Sequence, residues 1–135
     1  VTSIDLGYWY YCKFGIKYLE KKFPDRFQII LKDSLEALNN FKIISQGTIF
    51  DFIYIDGNHS YEYAYNDILN CKKFSNESTI IVVDDVVEDD NFRTNSNTGP
   101  TKAWKTLVSQ GKLIELDCAH FEDINRGVAV GKFII

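Results

Sequence analysis

Cysteine is scarce in this sequence: Cys12, Cys71 and Cys118 are odd in number, far apart and in no CxxC spacing. That suggests neither a disulfide framework nor a cysteine zinc site, and points to a reducing, cytoplasmic setting. No apolar run approaches the roughly 18 residues of a membrane span, and no signal-peptide pattern opens the chain. Basic runs are missing as well, and the formal charge is −4. Neither nucleic acid nor an anionic membrane finds an electrostatic footprint here, so a small-molecule partner fits better. Repeats and proline-rich linkers are absent. There is no G-x-G-x-x-G, which argues against a nicotinamide-binding domain.

What remains is an ordinary globular balance, 45% apolar and 25% charged residues, excluding disorder or a fibrous class. At 135 residues the chain is expected to be a single domain over 1–135. That is short for an α/β enzyme, so a partner or a further piece is expected.

The stretch Thr48 to Tyr61, TIFDFIYIDGNHSY, organises the rest. Ile49 to Ile55 is aromatic and β-branched on both alternating faces, which predicts a strand covered on both sides at the centre of a parallel sheet. It ends in Asp56-Gly57-Asn58-His59-Ser60: a carboxylate, a glycine for the turn, an imidazole, and a serine able to cap a helix from Tyr61. In open α/β sheets the ligand crevice lies at that edge. Thr79 to Val83 is a second β-branched run, and it delivers Asp84 and Asp85 to the same edge. If the two strands are neighbours, about 4.8 Å apart, three carboxylates converge and imply a cation or a basic ligand group. Consecutive strand residues point to opposite faces, so Asp84 and Asp85 share one ion only if the chain bends there.

Read in order, Val1 to Leu6 predicts a strand and Tyr8 to Phe23 a helix with Phe14, Tyr18 and Leu19 on its apolar face, ended by Pro24. Phe27 to Leu31 is a strand, followed by a short helix with Leu35, Leu38 and Phe41 inward. Tyr61, Ala64, Tyr65, Ile68 and Leu69 form the stripe of the next helix. Val86 to Gly99 is polar and acidic without a period, which predicts a mobile loop over the crevice, its Glu88, Asp89 and Asp90 forming a solvated face. Pro100 sets the first turn of a helix burying Ala103, Trp104, Leu107 and Val108, with Gly111 as its stop. Lys112 to Cys118 and Val128 to Ile135 are strands joined by a polar connection containing Asp123, Asn125 and Gly127, consistent with an antiparallel pair. The alternation predicts an α/β fold, Rossmann-like and doubly wound, with a mostly parallel sheet and an antiparallel C-terminal hairpin strand.

Ile4-Asp5, Lys32-Asp33-Ser34, FDFIYIDGNHSYEYAYNDI at Phe50 to Ile68, IIVVDDV at Ile80 to Val86 and the final RGVAVGKF together resemble the class I S-adenosylmethionine-dependent methyltransferases. The similarity is to the subgroup with an IDG-x-HSY segment, and the carboxylate cluster resembles that of metal-dependent O-methyltransferases. The resemblance implies transfer of a methyl group from S-adenosylmethionine to a hydroxyl of a small molecule, such as a sugar or a polyhydroxylated metabolite, with Mg²⁺ assisting. It further implies that Asp5 holds the ribose hydroxyls, that Asp33 and Ser34 lie beside the adenine and that Asp56 belongs to the cofactor crevice. Asp56, Asp84 and Asp85 would be the metal ligands, and His59 would take the proton. The sequence begins at the equivalent of the family's second strand, so the resemblance implies a preceding strand and glycine-rich loop, making the domain N-terminally incomplete.

Structural alternatives stand beside these roles. Asp56, Asp84 and Asp85 could be caps or solvated turns, Asp5 a helix cap, Asp33 and Ser34 a capping pair, and His59 a structural hydrogen-bond former. Tyr8, Trp9, Tyr10 and Tyr11 suggest core packing or a subunit contact, with a homo-oligomer as one form. At the level of the whole chain, the alternative to an enzyme is a non-catalytic methyltransferase-like module acting through subunit contacts.

Overall fold

A computed structural model of the chain describes residues 1–40, 44, 47–121 and 124–135. Phe41 and Asp123 lie outside those residues. Two compact units make up the chain, Val1–Gln46 and Gly47–Ile135. Strand and helix alternate as expected, with parallel pairs first and antiparallel strands at the C-terminus, so the fold class is α/β.

The first unit contains β1 (Thr2–Asp5), α1 (Cys12–Lys22), β2 (Gln28–Leu31) and α2 (Ser34–Asn39). β1 and β2 pair in parallel, with Ile4 opposite Ile30. α1 carries Lys21 and Lys22 in its last turn, where cations suit the helix dipole, and it closes with the Phe23 N–H donating to the Leu19 carbonyl at 2.8 Å. The expected apolar face of this helix is corrected: Phe14 and Tyr18 are exposed, and the half-buried line runs through Cys12, Ile16 and Leu19. Helical spacing alone allowed either line, and packing chose the narrower. Tyr8, Trp9, Tyr10 and Tyr11 precede the helix and are all exposed, so core packing does not account for them.

The second unit contains β3 (Phe52–Ile55), α3 (Tyr61–Cys71), β4 (Ile80–Asp84), α4 (Thr98–Ser109), β5 (Leu113–Phe121) and β6 (Arg126–Phe133). The sheet order is β3-β4-β6-β5. β3 and β4 run parallel with Tyr54 opposite Val82, while β6 lies antiparallel between β4 and β5, placing Val128 opposite Asp84. β3 is therefore not covered on both sides as its composition predicted. It is the edge strand of this sheet, with Phe52 and Tyr54 more than half exposed at 59% and 53%. An apolar run signals burial potential, but which faces are covered depends on what packs there.

Inward-facing Ile81, Val83, Ala129 and Phe133 alternate along β4 and β6 and join Ile68, Leu107 and Trp104 in the core. Pro100 is the third residue of α4, where its missing N–H would have had no intrahelical partner. Gly111 adopts φ 66° and ends the helix as expected. The stretch Val86 to Gly99, expected as a mobile loop, is anchored at both ends, with Thr98 and Gly99 already in α4 and Glu88 to Asn91 exposed between. Val86, Val87 and Asn97 are buried. The Asn97 amide donates to the carbonyls of Phe92 and Asn125 at 3.0 and 3.2 Å and accepts from the Thr94 N–H at 2.8 Å. A polar residue could anchor this segment because its partners are backbone groups, which composition does not reveal. Among the described residues no helix is long and apolar enough to cross a membrane.

Gly131 shows how tightly this unit is closed. A Cβ there would stand 2.4 Å from the Ile114 carbonyl and 2.8 Å from the Trp104 ring. Gly131→Ala is expected to destabilise the protein by about 2 kcal/mol or more through forced repacking, read as a lowered urea midpoint with an unchanged slope.

Candidate functional site

Two parallel strands ending side by side bring the acids together. β3 delivers Asp56 and β4 delivers Asp84, with Asp85 next in the chain. The Asp56-to-Ser60 turn is set by its own polar residues. Asn58 Oδ1 accepts from the Ser60 N–H at 2.8 Å, and Ser60 Oγ caps α3 by accepting from the Tyr63 N–H at 3.3 Å. The first turn of α4 presses on the same loop. A Cβ on Gly99 would fall 2.1 Å from the His59 carbonyl, so only glycine permits the approach that holds this loop in place.

The chain does bend between the two consecutive acids. Asp85 has φ 56°, a left-handed conformation that non-glycine residues adopt at some cost. The bend buries Asp85 to 1% exposure. Asp84 stays outside the group that gathers here and faces the Arg126 guanidinium at 3.8 Å. The groups gathered at one point are Asp56, His59 and Asp85, whose ligating atoms lie within 4.8 Å of one another. His59 Nε2 stands 3.3 Å from Asp85 Oδ2 and 3.7 Å from Asp56 Oδ1. Neither oxygen of Asp85 has a hydrogen-bond partner among the described residues. The expected trio of Asp56, Asp84 and Asp85 thus shares one sheet edge, but the group that converges is Asp56, His59 and Asp85, without Asp84.

Two residues at this site escaped the sequence reading. Arg126, at the start of β6, places its guanidinium 3.8 Å from both Asp84 and Asp85. Nothing in local spacing signals this, because the antiparallel insertion of β6 creates the contact. Asp67 is buried on α3 beneath the turn, its Oδ2 3.0 Å from where a Gly57 Cβ would sit. Its signal was the inner-face spacing it shares with Ala64, Ile68 and Cys71. A cavity of ≈ 10 Å³ lies under the turn among Asp56, His59, Asp67, Asp84 and Pro100, about the space of one water.

In the first unit, Asp33 caps α2 by accepting from the Leu35 N–H at 2.9 Å, with Ser34 as the first helical residue. Asp5 does not cap a helix, and its Oδ1 accepts from the Gly7 N–H at 2.5 Å in a turn where Gly7 has φ 68°.

Electrostatics single out the second-unit cluster. Burial raises the Asp85 carboxyl above its ordinary range, opposed by the Arg126 charge, reinforced by Asp84 and opposed again by His59. Burial and then the Asp84 and Asp56 charges push Tyr54 up. The cysteines are free and Cys71 and Cys118 are poor nucleophiles, with burial lifting Cys71 to about 12 and burial with Glu115 lifting Cys118 to about 11.

Comparison with known proteins bears on this arrangement. Residues 5–86 match the family described as "Methyltransferase domain". No curated relative matches the chain. Among solved structures, an O-methyltransferase from Bacillus cereus in complex with SAH superposes at TM-score 0.74 with 14% identity, over 98% of this chain and 62% of that one. A TDP-rhamnose 3'-O-methyltransferase of calicheamicin biosynthesis gives 0.67 and 13%, over 99% and 58%. The Methanococcus jannaschii fibrillarin pre-rRNA processing protein gives 0.62 and 18%, over 98% and 55%. At such identities the likeness is one of fold, and the chain spans about 60% of the length of these proteins.

The raised Asp85 carboxyl has a stability consequence. A group whose folded pKa lies above its unfolded value stabilises the fold fully below the unfolded value, and that contribution is lost as pH rises through the folded one. Asp85→Asn is therefore expected to raise Tm at neutral pH by a few degrees, for about 1 kcal/mol. The gain over the wild type should shrink as the buffer is made acidic. A gap that stays constant with pH in thermal melts would show that the charge of Asp85 is not the destabilising element.

Proposed function

Because this chain belongs to the methyltransferase-domain family, we propose that it transfers a methyl group from S-adenosylmethionine to a hydroxyl of a small molecule. The proposed acceptor is a sugar or polyhydroxylated metabolite, with a divalent cation assisting. We take both units as parts of one methyltransferase-like domain. The carrying observation is the buried carboxylate of Asp85 facing Asp56 and His59 at the ends of two parallel strands. Two of the solved structures of similar fold are named as O-methyltransferases, which supports oxygen as the acceptor atom.

In this reading Asp5 accepts from the ribose hydroxyls of the cofactor and Asp33 and Ser34 lie beside its adenine, as the resemblance implies. A carboxylate suits the first role because it can accept from two adjacent O–H groups. Asp56, half exposed beside the buried Asp85, is the group that an incoming hydroxyl meets. The donor chemistry fits a cation: Asp85 is a buried anion lacking hydrogen-bond donors among the described residues, with only Arg126 and His59 to offset it. Asp56 and Asp85 would hold such an ion, which would lower the acceptor hydroxyl's pKa and so favour its ionised, nucleophilic form. Arg126 keeps the pair of acids tolerable by supplying part of the missing positive charge.

A second reading is a methyltransferase-like module acting through subunit contacts, a homo-oligomer being one form. Its support is the exposed aromatic group of Tyr8, Trp9, Tyr10 and Phe14.

Calorimetry with S-adenosylmethionine separates the two, and the enzyme reading requires saturable binding. Methyl transfer to polyhydroxylated acceptors is then expected to fall at least about tenfold in Asp56→Asn, and to stop in excess chelator until a divalent ion is restored. Absence of cofactor binding would overturn the enzyme, whereas full transfer in chelator would remove only the ion.

A further inference from the structure

We propose that His59 is itself a metal ligand. With Asp56 and Asp85 it forms a one-histidine, two-carboxylate site that takes a first-row transition ion such as Mn²⁺, Co²⁺ or Zn²⁺ in preference to Mg²⁺, and Asp84 stays outside it. This rests on the reading that a divalent cation belongs at these strand ends, and it changes both the donor set and the class of ion.

The donor spacing matches a single ion. An ion about 2.0–2.2 Å from each nitrogen or oxygen donor leaves those donors roughly 3–4 Å apart. His59 Nε2 stands 3.3 Å from Asp85 Oδ2 and 3.7 Å from Asp56 Oδ1, and the three ligating atoms fall within 4.8 Å of one another. All three lie in the second unit, Asp56 and His59 on a loop held by the Ser60 cap and by the close approach of Gly99, and Asp85 at the end of β4.

The state of Asp85 points the same way independently of spacing. Asp85 is buried to 1% exposure, and neither of its oxygens has a hydrogen-bond partner among the described residues. His59 touches Oδ2 without forming a hydrogen bond, and the Arg126 guanidinium stays 3.8 Å from Oδ1. A buried carboxylate in that state costs several kcal/mol unless a cation compensates it. Nε2, Asp85 Oδ2 and Asp56 Oδ1 converge on the point where one would sit.

Asp84 is differently employed. It faces the Arg126 guanidinium at 3.8 Å, and the left-handed bend at Asp85 separates the two neighbours' directions. With imidazole as the third donor the site suits borderline transition ions, whereas Mg²⁺ prefers oxygen donors and retained waters. One lone pair cannot serve two purposes. A histidine nitrogen given to an ion is not a base, so in the ion-loaded protein His59 does not take the acceptor's proton.

The test is ion binding by the full chain, with no dependence on turnover. Chelator-treated protein is titrated with Co²⁺, followed by its visible absorption, and with Mn²⁺ and Mg²⁺ by calorimetry. One transition ion per chain is expected, with Mg²⁺ at least about tenfold weaker. Since changes to groups that merely support a ligand already cost 10–100-fold, His59→Ala and His59→Gln should each weaken Co²⁺ binding at least about tenfold and alter its absorption. Asp84→Asn should stay within about threefold. Far-ultraviolet circular dichroism checks that each variant is folded, and the Gln variant keeps bulk in the loop if Ala disturbs it. Unchanged Co²⁺ binding in both folded His59 variants, or loss of binding in Asp84→Asn, would overturn the proposed donor set. Equal affinity for Mg²⁺ and Mn²⁺ would overturn the ion class. S-adenosylmethionine binding in the same samples keeps the two readings apart, because cofactor binding without any ion binding sinks this inference and leaves the methyltransferase standing.

Discussion

A carboxylate shut away from water must find positive charge or donors, and Asp85 is the group on which that demand falls. It sits at φ 56° at the end of β4, buried, with both oxygens lacking hydrogen bonds among the described residues. Its backbone, by contrast, is secured. The Thr101 hydroxyl donates to the Asp85 carbonyl at 3.4 Å and accepts from the Val87 N–H at 3.1 Å, which ties the segment after the bend to α4. Strain and desolvation concentrated in one residue, with the surroundings over-determining its position, are what functional sites show.

The topology supplies everything that surrounds it. Parallel pairing of β3 with β4 places Asp56 near Asp85. The antiparallel insertion of β6 brings Arg126 from about forty positions along the chain to face both Asp84 and Asp85. Two glycines make the close approaches possible: Gly99 lets α4 lie against the His59 carbonyl, and Gly127 lies where a Cβ would fall 2.2 Å from the Val86 carbonyl. The site is thus a product of strand order and backbone proximity as much as of its own side chains.

Much of this was visible from residue order alone. The alternation of runs announced α/β. Ser60 capped its helix where expected, Gly111 ended α4, and the last two strands paired antiparallel. These succeeded because each depends on local chemistry: turn conformations open to glycine, side-chain oxygens near free N–H groups, and the period of apolar residues. The readings that failed concerned burial. Phe14, Tyr18, Phe52 and Tyr54 looked like core and are exposed, while Asn97, in a stretch read as a polar loop, is buried. Hydrophobicity reports what a residue would gain from burial, and packing decides whether a partner is there.

At the site the division is the same. The amino-acid sequence by itself determined that acids and an imidazole would stand at the carboxyl ends of two β-branched strands, because strand and turn propensities are local properties. Only the tertiary structure decided that Asp85 turns inward while Asp84 stays outside the cluster and faces Arg126, and that His59 stands opposite the buried carboxylate. Those outcomes follow from a left-handed bend and from contacts between distant segments, whose energies are set by burial and distance and leave no trace in spacing along the chain.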